Sequence, residues 1–349
     1  MTGIVGGVDG RSAGRRFTRT PDAEPQGTHS GREDAITIRG MFTEASWKGR
    51  IGIIGGSGLG DALEQSMSPA GIERVLPETP FGRPSDEITL GTIGTGGGTV
   101  AVALLKRHGR GHRFNPSRVP YRANIFALKS VGCTHIVASG ACGSLRKRIR
   151  PGQVVVCDQL IDRTVGRDRT FYDSSAVHVE FADPCCPVMR RWLLAAADRT
   201  AGRGPVVHDG GTYVCIEGPS FSTRAEAIFN RRMGADVVGM TALPEARLAR
   251  EAEIAYALLA LPTDDDCWRP RPKGHDETSL LEEIIANLGR SVEAALSIIR
   301  AALADTTILR ERPSPAHDAL KHAIWTHRSE IPAEELARLG VLWGTRIDG

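Results

Sequence analysis

The run Thr263-Asp264-Asp265-Asp266-Cys267-Trp268 follows an apolar stretch at 254–261. If the chain stays extended, Asp264 and Asp266 project to one side and Asp265 to the other, so two carboxylates face one ligand. Repulsion and partial burial raise at least one pKa, leaving a proton donor or a neutral hydrogen-bonding acid near pH 7. A Mg²⁺ site and plain solvated acids are the alternatives; no further carboxylate cluster is present to complete an oxygen shell, so no metal is expected. A second group is cationic. Arg107-His108-Gly-Arg110-Gly-His112-Arg113 packs five basic or imidazole groups into seven residues after another apolar strand. It fits either a solvated loop or an oxyanion site, since guanidinium forks bind phosphate oxygens bidentately and histidine can hydrogen-bond them. The third group is Arg50-Ile-Gly-Ile-Ile-Gly-Gly-Ser57-Gly-Leu-Gly-Asp61, a buried strand breaking into closely spaced glycines. Successive N–H groups and the Ser57 hydroxyl would make a phosphate cradle. The run matches neither the dinucleotide fingerprint nor the Walker pattern, and an ordinary glycine turn fits it as well.

Positioning these groups requires several strands that end on one side of a sheet. Strand patterns recur at 87–94 and 99–105 around the turn glycines 96–98, then at 133–139, 154–160, 212–217, 235–239 and 254–261. A small-residue loop, Gly140-Ala-Cys-Gly-Ser-Leu145, is expected after the strand at 133–139. Helical patterns lie between the strands at 120–131, 187–198, 223–233 and 243–252, with Thr223 and Glu226 in capping-box spacing. The alternation predicts an α/β fold, one domain with a central mixed sheet flanked by helices. In such sheets ligands sit beyond the carboxyl ends of the strands, where Ser57, Arg107, Ala141, Phe221, Met240 and Asp264 fall.

A helix at 279–304 closes the core, with Ser279 and Glu282 at its cap and a stripe including Ile284, Leu288 and Val292 assigned to packing. The domain is expected over 48–304. Residues 1–47 read as a disordered arm, too acidic for a mitochondrial presequence, with Met41 a candidate start. Residues 305–349 read as a helical appendage, one helix opened by Ser314-Pro315 and one running from Pro332 to Gly340. His317, His322 and His327, five apart, are expected at the surface.

Composition narrows the class. The 349 residues are 41% apolar, enough for a full core, and Lys+Arg 44 against Asp+Glu 41 gives net charge +3. That balance carries no footprint for nucleic acid or a membrane surface. No spanning run or signal core is seen, and the seven scattered cysteines suit reduced thiols, so a cytoplasmic location is expected.

In order along the chain, these motifs resemble the 5′-methylthioadenosine phosphorylases of the purine nucleoside phosphorylase family. The matching stretches include Gly52-Ile-Ile-Gly-Gly-Ser-Gly-Leu, Thr79-Pro-Phe-Gly-Arg-Pro-Ser-Asp, Arg107-His-Gly-Arg-Gly-His, Tyr121-Arg-Ala-Asn-Ile, Ala141-Cys-Gly-Ser-Leu, Ile216-Glu-Gly-Pro-Ser-Phe-Ser, Met240-Thr-Ala-Leu-Pro-Glu and Thr263-Asp-Asp-Asp-Cys-Trp. The resemblance covers roughly residues 49–300. It implies phosphate contacts from Ser57, Arg107, His108 and the backbone at Ala141, and ribose contacts from Met240 and Thr241. It sets Phe221 and Ser222 beside the base, with Asp264 and Asp266 at its N7 and exocyclic amine. His178 would close over the 5′ substituent, often across a trimer interface, so a homotrimer is expected.

The implied reaction is phosphorolysis of a 5′-modified adenosine, with phosphate as co-substrate and no cofactor. An inosine or guanosine phosphorylase and a non-catalytic nucleoside-binding descendant are the alternatives. The chain departs from the family at Gly140, where a threonine is usual, at Ser220 in place of an arginine, and at Pro120 in place of an asparagine. Glu180 adds an acid near the expected 5′ pocket, which points to a polar 5′ substituent unless it faces solvent.

Overall fold

A computed structural model describes residues 49–56, 59–95, 98–200, 206–269 and 277–347. The expected N-terminal arm, the candidate start at Met41, Ser57 and the turn glycines 96–97 lie outside the described residues. Among those described, eleven strands join one mixed sheet. They are β1 (Arg50–Gly55), β2 (Glu73–Val75), β3 (Ile88–Thr95), β4 (Gly98–Lys106), β5 (Cys133–Ser144), β6 (Val154–Val156), β7 (Gln159–Arg163), β8 (Val207–Asp209), β9 (Thr212–Ile216), β10 (Val237–Gly239) and β11 (Ala255–Asp264).

The parallel strands β4, β1, β5 and β11 lie side by side, with Gly55 opposite Lys106 and Ala141 opposite Leu261. Their carboxyl ends therefore share one edge. Strand β5 is the branch point: its first half runs between β1 and β11, and its last residues pair antiparallel with β10, which continues to β9 and β7. The small-residue loop expected at 140–145 is strand as far as Ser144, because β11 and β10 pair with it to its end. The single strand expected at 154–160 is two, β6 and β7, broken where the Asp158 carboxylate accepts the Gly211 N–H at 2.8 Å.

Helices cover both faces. One face carries α1 (Leu59–Glu64), α3 (Pro187–Arg199), α6 (Glu277–Leu303) and α7 (Thr307–Glu311), packed around buried Ile53, Leu104, Trp192 and Ile299. The other carries α2 (Tyr121–Ser130) and α5 (Glu245–Glu251) over Ile54, Ile136, Tyr213 and Tyr256. Helix α4 (Arg224–Arg232) begins at the expected capping box, in which Thr223 and Glu226 each bond the other's backbone. Helix α6 already begins at Glu277, so the Ser279 and Glu282 spacing falls inside it and not at its cap.

The C-terminal segment passes from one layer to the other. Leu309 and Ala316 belong to the α3–α6 core, whereas Leu320, Ala323, Leu339, Leu342 and Trp343 join the α2–α5 core. Burying a leucine side chain contributes about 1.5–3 kcal/mol, so Leu320, Leu339 and Leu342 anchor the segment to the domain. Gly340 opens a further helix, α9 (Gly340–Trp343), beyond α8 (Ala333–Arg338), and does not end the pattern. His322 and His327 are exposed as expected, but His317 is half-buried, its ring edge-on to His135 at 4.9 Å. Among the described residues, no helix is long and apolar enough to cross a membrane.

Candidate active site

The shared strand edge opens into a cavity of about 290 Å³ lined by Arg107, His108, Ala141, Phe221, Ser222, Met240, Thr241, Asp264 and Asp266. All the expected site residues meet there except two. Ser57 is outside the described residues, although Gly56 before it lines the cavity. His178 is not among the lining residues: it is exposed, with its ring against Trp325 at 4.7 Å and its N–H on the Ala323 carbonyl.

The acid end is built by β11 and a turn. The strand stops at Asp264, and Asp266 takes a left-handed φ of 48° at the start of a 3-10 turn. The two acids therefore meet through a turn and not through the extended alternation expected from sequence. Asp265 does point elsewhere, paired with Arg269. Asp264 accepts the Thr263 hydroxyl at 2.8 Å and the Asp266 N–H at 2.7 Å, while Oδ2 of Asp266 is buried with no partner among the described residues. Burial, the largest cause, raises both carboxyls; it and the charge of Asp264 push Asp266 up to about 6. Gly143 on β5 makes room for them, since a Cβ there would stand 3.0 Å from Asp266 Cβ and 3.3 Å from Asp264 Oδ1.

The cationic end behaves differently. Arg107 is 1% exposed, and its guanidinium fork is turned on Glu245 at 2.7 and 2.9 Å, with a further bond to the Ser139 carbonyl at 2.8 Å. Tyr256 donates to the same carboxylate at 2.9 Å. The bidentate edge that the sequence suggested for phosphate is thus used inside the protein, and Arg107 faces the cavity as a fixed, neutralised charge. His108 Nδ1 lies 2.8 Å from the Phe114 carbonyl, which can only accept, so Nδ1 carries the proton and Nε2 is an acceptor. Burial, helped by the charge of Arg107, lowers His108 to about 4, so the imidazole is neutral near pH 7. Gly140 lets Thr241 approach the strand beside Ala141: a Cβ there would stand 3.2 Å from the Thr241 hydroxyl, closer than an ordinary contact.

The apolar wall was missed. Ile284, Leu288 and Val292 of α6 line the cavity together with Ile216, Val238 and Leu261. Their i, i+4, i+8 spacing was visible as a packing stripe; what it faces was not. Glu180 is not a cavity residue. Its side chain is 71% exposed, bonded to the Ala182 N–H at 2.6 Å and paired with Arg250 at 3.3 Å. Ser220 is likewise exposed and outside the lining. Among the described residues, no group of three or more His, Cys, Asp or Glu side chains could hold a metal ion.

A mixed sheet with helices on both faces, holding an acid pair across a cavity from a cationic strand end, defines a nucleoside phosphorylase-like protein. Residues 50–304 match the phosphorylase superfamily. The chain is 46% identical over 299 residues to the S-methyl-5′-thioadenosine phosphorylase of Geobacter sulfurreducens, covering 85% of this chain and 99% of that one. It is 48% identical over 296 residues to the enzyme of the same name from Chloroflexus aurantiacus, covering 84% and 97%. A methylthioadenosine phosphorylase crystal structure sourced from an antarctic soil metagenomic library superposes with a TM-score of 0.76 at 45% identity, covering 84% of this chain and 98% of that one. The chain belongs to the S-methyl-5′-thioadenosine phosphorylase family within that superfamily.

Proposed function

We propose that this chain cleaves the glycosidic bond of 5′-methylthioadenosine with inorganic phosphate, giving adenine and 5-methylthioribose 1-phosphate. The observation that carries this reading is one cavity lined by the Asp264–Asp266 pair, by Arg107 and His108, and by apolar Ile284, Leu288 and Val292. In the reaction a phosphate oxygen bonds to the anomeric carbon as the bond to purine N9 breaks, and the electron pair leaves with the base. Negative charge on the purine is relieved by protonation at N7, for which a carboxyl with a raised pKa is suited. Asp264 is assigned that proton. Oδ2 of Asp266 has no donor among the described residues, and the exocyclic amine of adenine supplies one.

Phosphate is assigned to the other end, at Ser57, the backbone of Ala141 and His108, whose Nε2 accepts a phosphate P–OH, in the field of Arg107. The ribose is assigned to Met240 and Thr241. Phe221, 83% exposed beside the cavity, offers a ring face to the base. His178 belongs to the same reading only if a neighbouring copy presents it, which fits a homotrimer; a cytoplasmic enzyme is the accompanying expectation. With Glu180 held by Arg250 outside the cavity, an uncharged methylthio group against Ile284 and Leu288 is a better match than a polar 5′ substituent.

The test is base release with and without phosphate, adenine from 5′-methylthioadenosine and adenosine and hypoxanthine from inosine. Release should require phosphate and should be slowest with inosine, whose 6-oxo group cannot donate to Asp266. Release that persists without phosphate would make the chain a hydrolase.

A further inference from the structure

Arg167, between β7 and α3, is buried beneath the cavity and does not line it; its side chain is 1% exposed. Its Nη1 donates to the Met240 carbonyl at 2.7 Å, the Leu243 carbonyl at 2.6 Å and the Tyr121 hydroxyl at 3.1 Å. Nη2 donates to the Glu217 carbonyl at 2.6 Å and the Ile216 carbonyl at 3.4 Å, and Nε to the Glu217 carboxylate at 3.1 Å. One guanidinium therefore joins the end of β9, which leads into Phe221 and Ser222, to the end of β10, which leads into Met240 and Thr241. The carboxylate of Glu217 in turn accepts the N–H groups of Val165 and Gly166 at 2.6 and 3.2 Å, fixing the loop that carries Arg167. The two strand ends are also in direct contact. A Cβ at Gly218 would stand 2.6 Å from the Met240 sulfur, so only glycine admits that approach.

From this geometry we propose that Arg167 is a positioning residue for the nucleoside half of the cavity. It sets the separation between the Phe221–Ser222 side and the Met240–Thr241 side, while Arg107 and His108 of the phosphate half are bonded directly to Glu245 and Phe114 and not to it. The proposal rests on the assignment of those four residues to the nucleoside. A planar fork with five donors can serve several carbonyls at fixed angles, whereas an ammonium cannot. Removing it leaves buried carbonyls without donors and frees the two edges to shift, and a shift near 1 Å can cost about 10²-fold.

The experiment compares Arg167→Met, Arg167→Lys and Glu217→Gln with the unaltered protein, measuring KM for 5′-methylthioadenosine and for phosphate separately. The expected result is a nucleoside KM raised by about 10- to 100-fold in R167M, with Lys recovering little of it and E217Q showing a smaller rise of the same kind. The phosphate KM should stay within about twofold, because Arg107 and His108 are bonded to Glu245, Ser139 and Phe114 and not to Arg167. A purely structural role would lower the active fraction and leave both constants alone. Nucleoside KM unchanged in the folded variants, or both constants rising together, overturns the proposal; if R167M does not fold, R167K and E217Q decide it. An unaltered protein that releases no adenine refutes the function reading instead. Calorimetry with adenine then reads the clamp, and an unchanged Kd in R167K overturns it.

Discussion

The two ends of the cavity are finished to different degrees. At the cationic end every strong partner is already in place: Arg107 is neutralised by Glu245, Glu245 is shared with Tyr256, and His108 is neutral and tied to Phe114. At the acid end a buried carboxylate oxygen of Asp266 has no donor among the described residues, and two carboxyls crowd one turn. The first arrangement is complete without ligand, and removing one partner would strand the other as a buried charge. The second is costly until a ligand supplies donors, so its energy is available for binding and leaving-group activation. Residues at the two ends should therefore fail in opposite ways when altered.

The largest effect is expected at the acid end. Asp264→Asn keeps shape but removes the acidic proton, and general-acid help is typically about 10²–10⁴-fold, so turnover should fall by that order. Phosphate KM and the melting temperature should barely move. Steady-state kinetics with a thermal scan reads both, and equal losses in turnover and phosphate binding would sink the assignment. The cationic end should give the converse. Glu245→Ala strips a fully buried guanidinium of its counter-charge, and breaking such a pair costs about 3–5 kcal/mol. Chemical denaturation measures it; a loss under about 1 kcal/mol would mean that Arg107 finds another partner or water.

Much of this division was legible in the sequence, but unevenly. Residue type and order placed Arg107, His108, Met240, Asp264 and Asp266 at one sheet edge, since strand ends beside glycines and small residues are local signals. Local patterns could not show what a side chain is paired with. Glu245 lies 138 residues from Arg107, in a helix whose first turn reads as ordinary acidic capping, so the guanidinium looked free for phosphate. The α6 stripe was assigned to packing throughout, and Leu296 and Ile299 do pack in the core, but Ile284 and Leu288 line the cavity: periodicity tells that a helix face is covered, not whether protein or substrate covers it. Arg167 gave no signal at all, because its six bonds go mainly to backbone carbonyls, which every sequence possesses. The acid turn was anticipated by the wrong route. Both acids face the cavity, yet the left-handed backbone at Asp266 brings them there, and a run of identical residues does not reveal a turn.

The smallest effect sharpens the comparison most, because it separates stability from function at one residue. Asp266 has a folded-state pKa of about 6, above its ordinary value of 3.8. Between those values the folded protein holds a proton that the unfolded chain has released. By linkage, stability then falls as pH rises from about 4 to about 6, and the full penalty remains at pH 7. Asp266→Asn cannot ionise, so it should be more stable than the unaltered protein at pH 7 by up to on the order of 1 kcal/mol once partial exposure is discounted, or about 2 °C in Tm. Below pH 4 that advantage should vanish. The same substitution replaces an acceptor for the adenine amine with an amide, so nucleoside KM should rise while phosphate KM holds. Tm against pH for both proteins, with the two KM values, is the measurement. A parallel pair of Tm curves from pH 4 to 7 would show that Asp266 is not the strained carboxyl, and the unfinished end of the cavity would then rest on Asp264 alone.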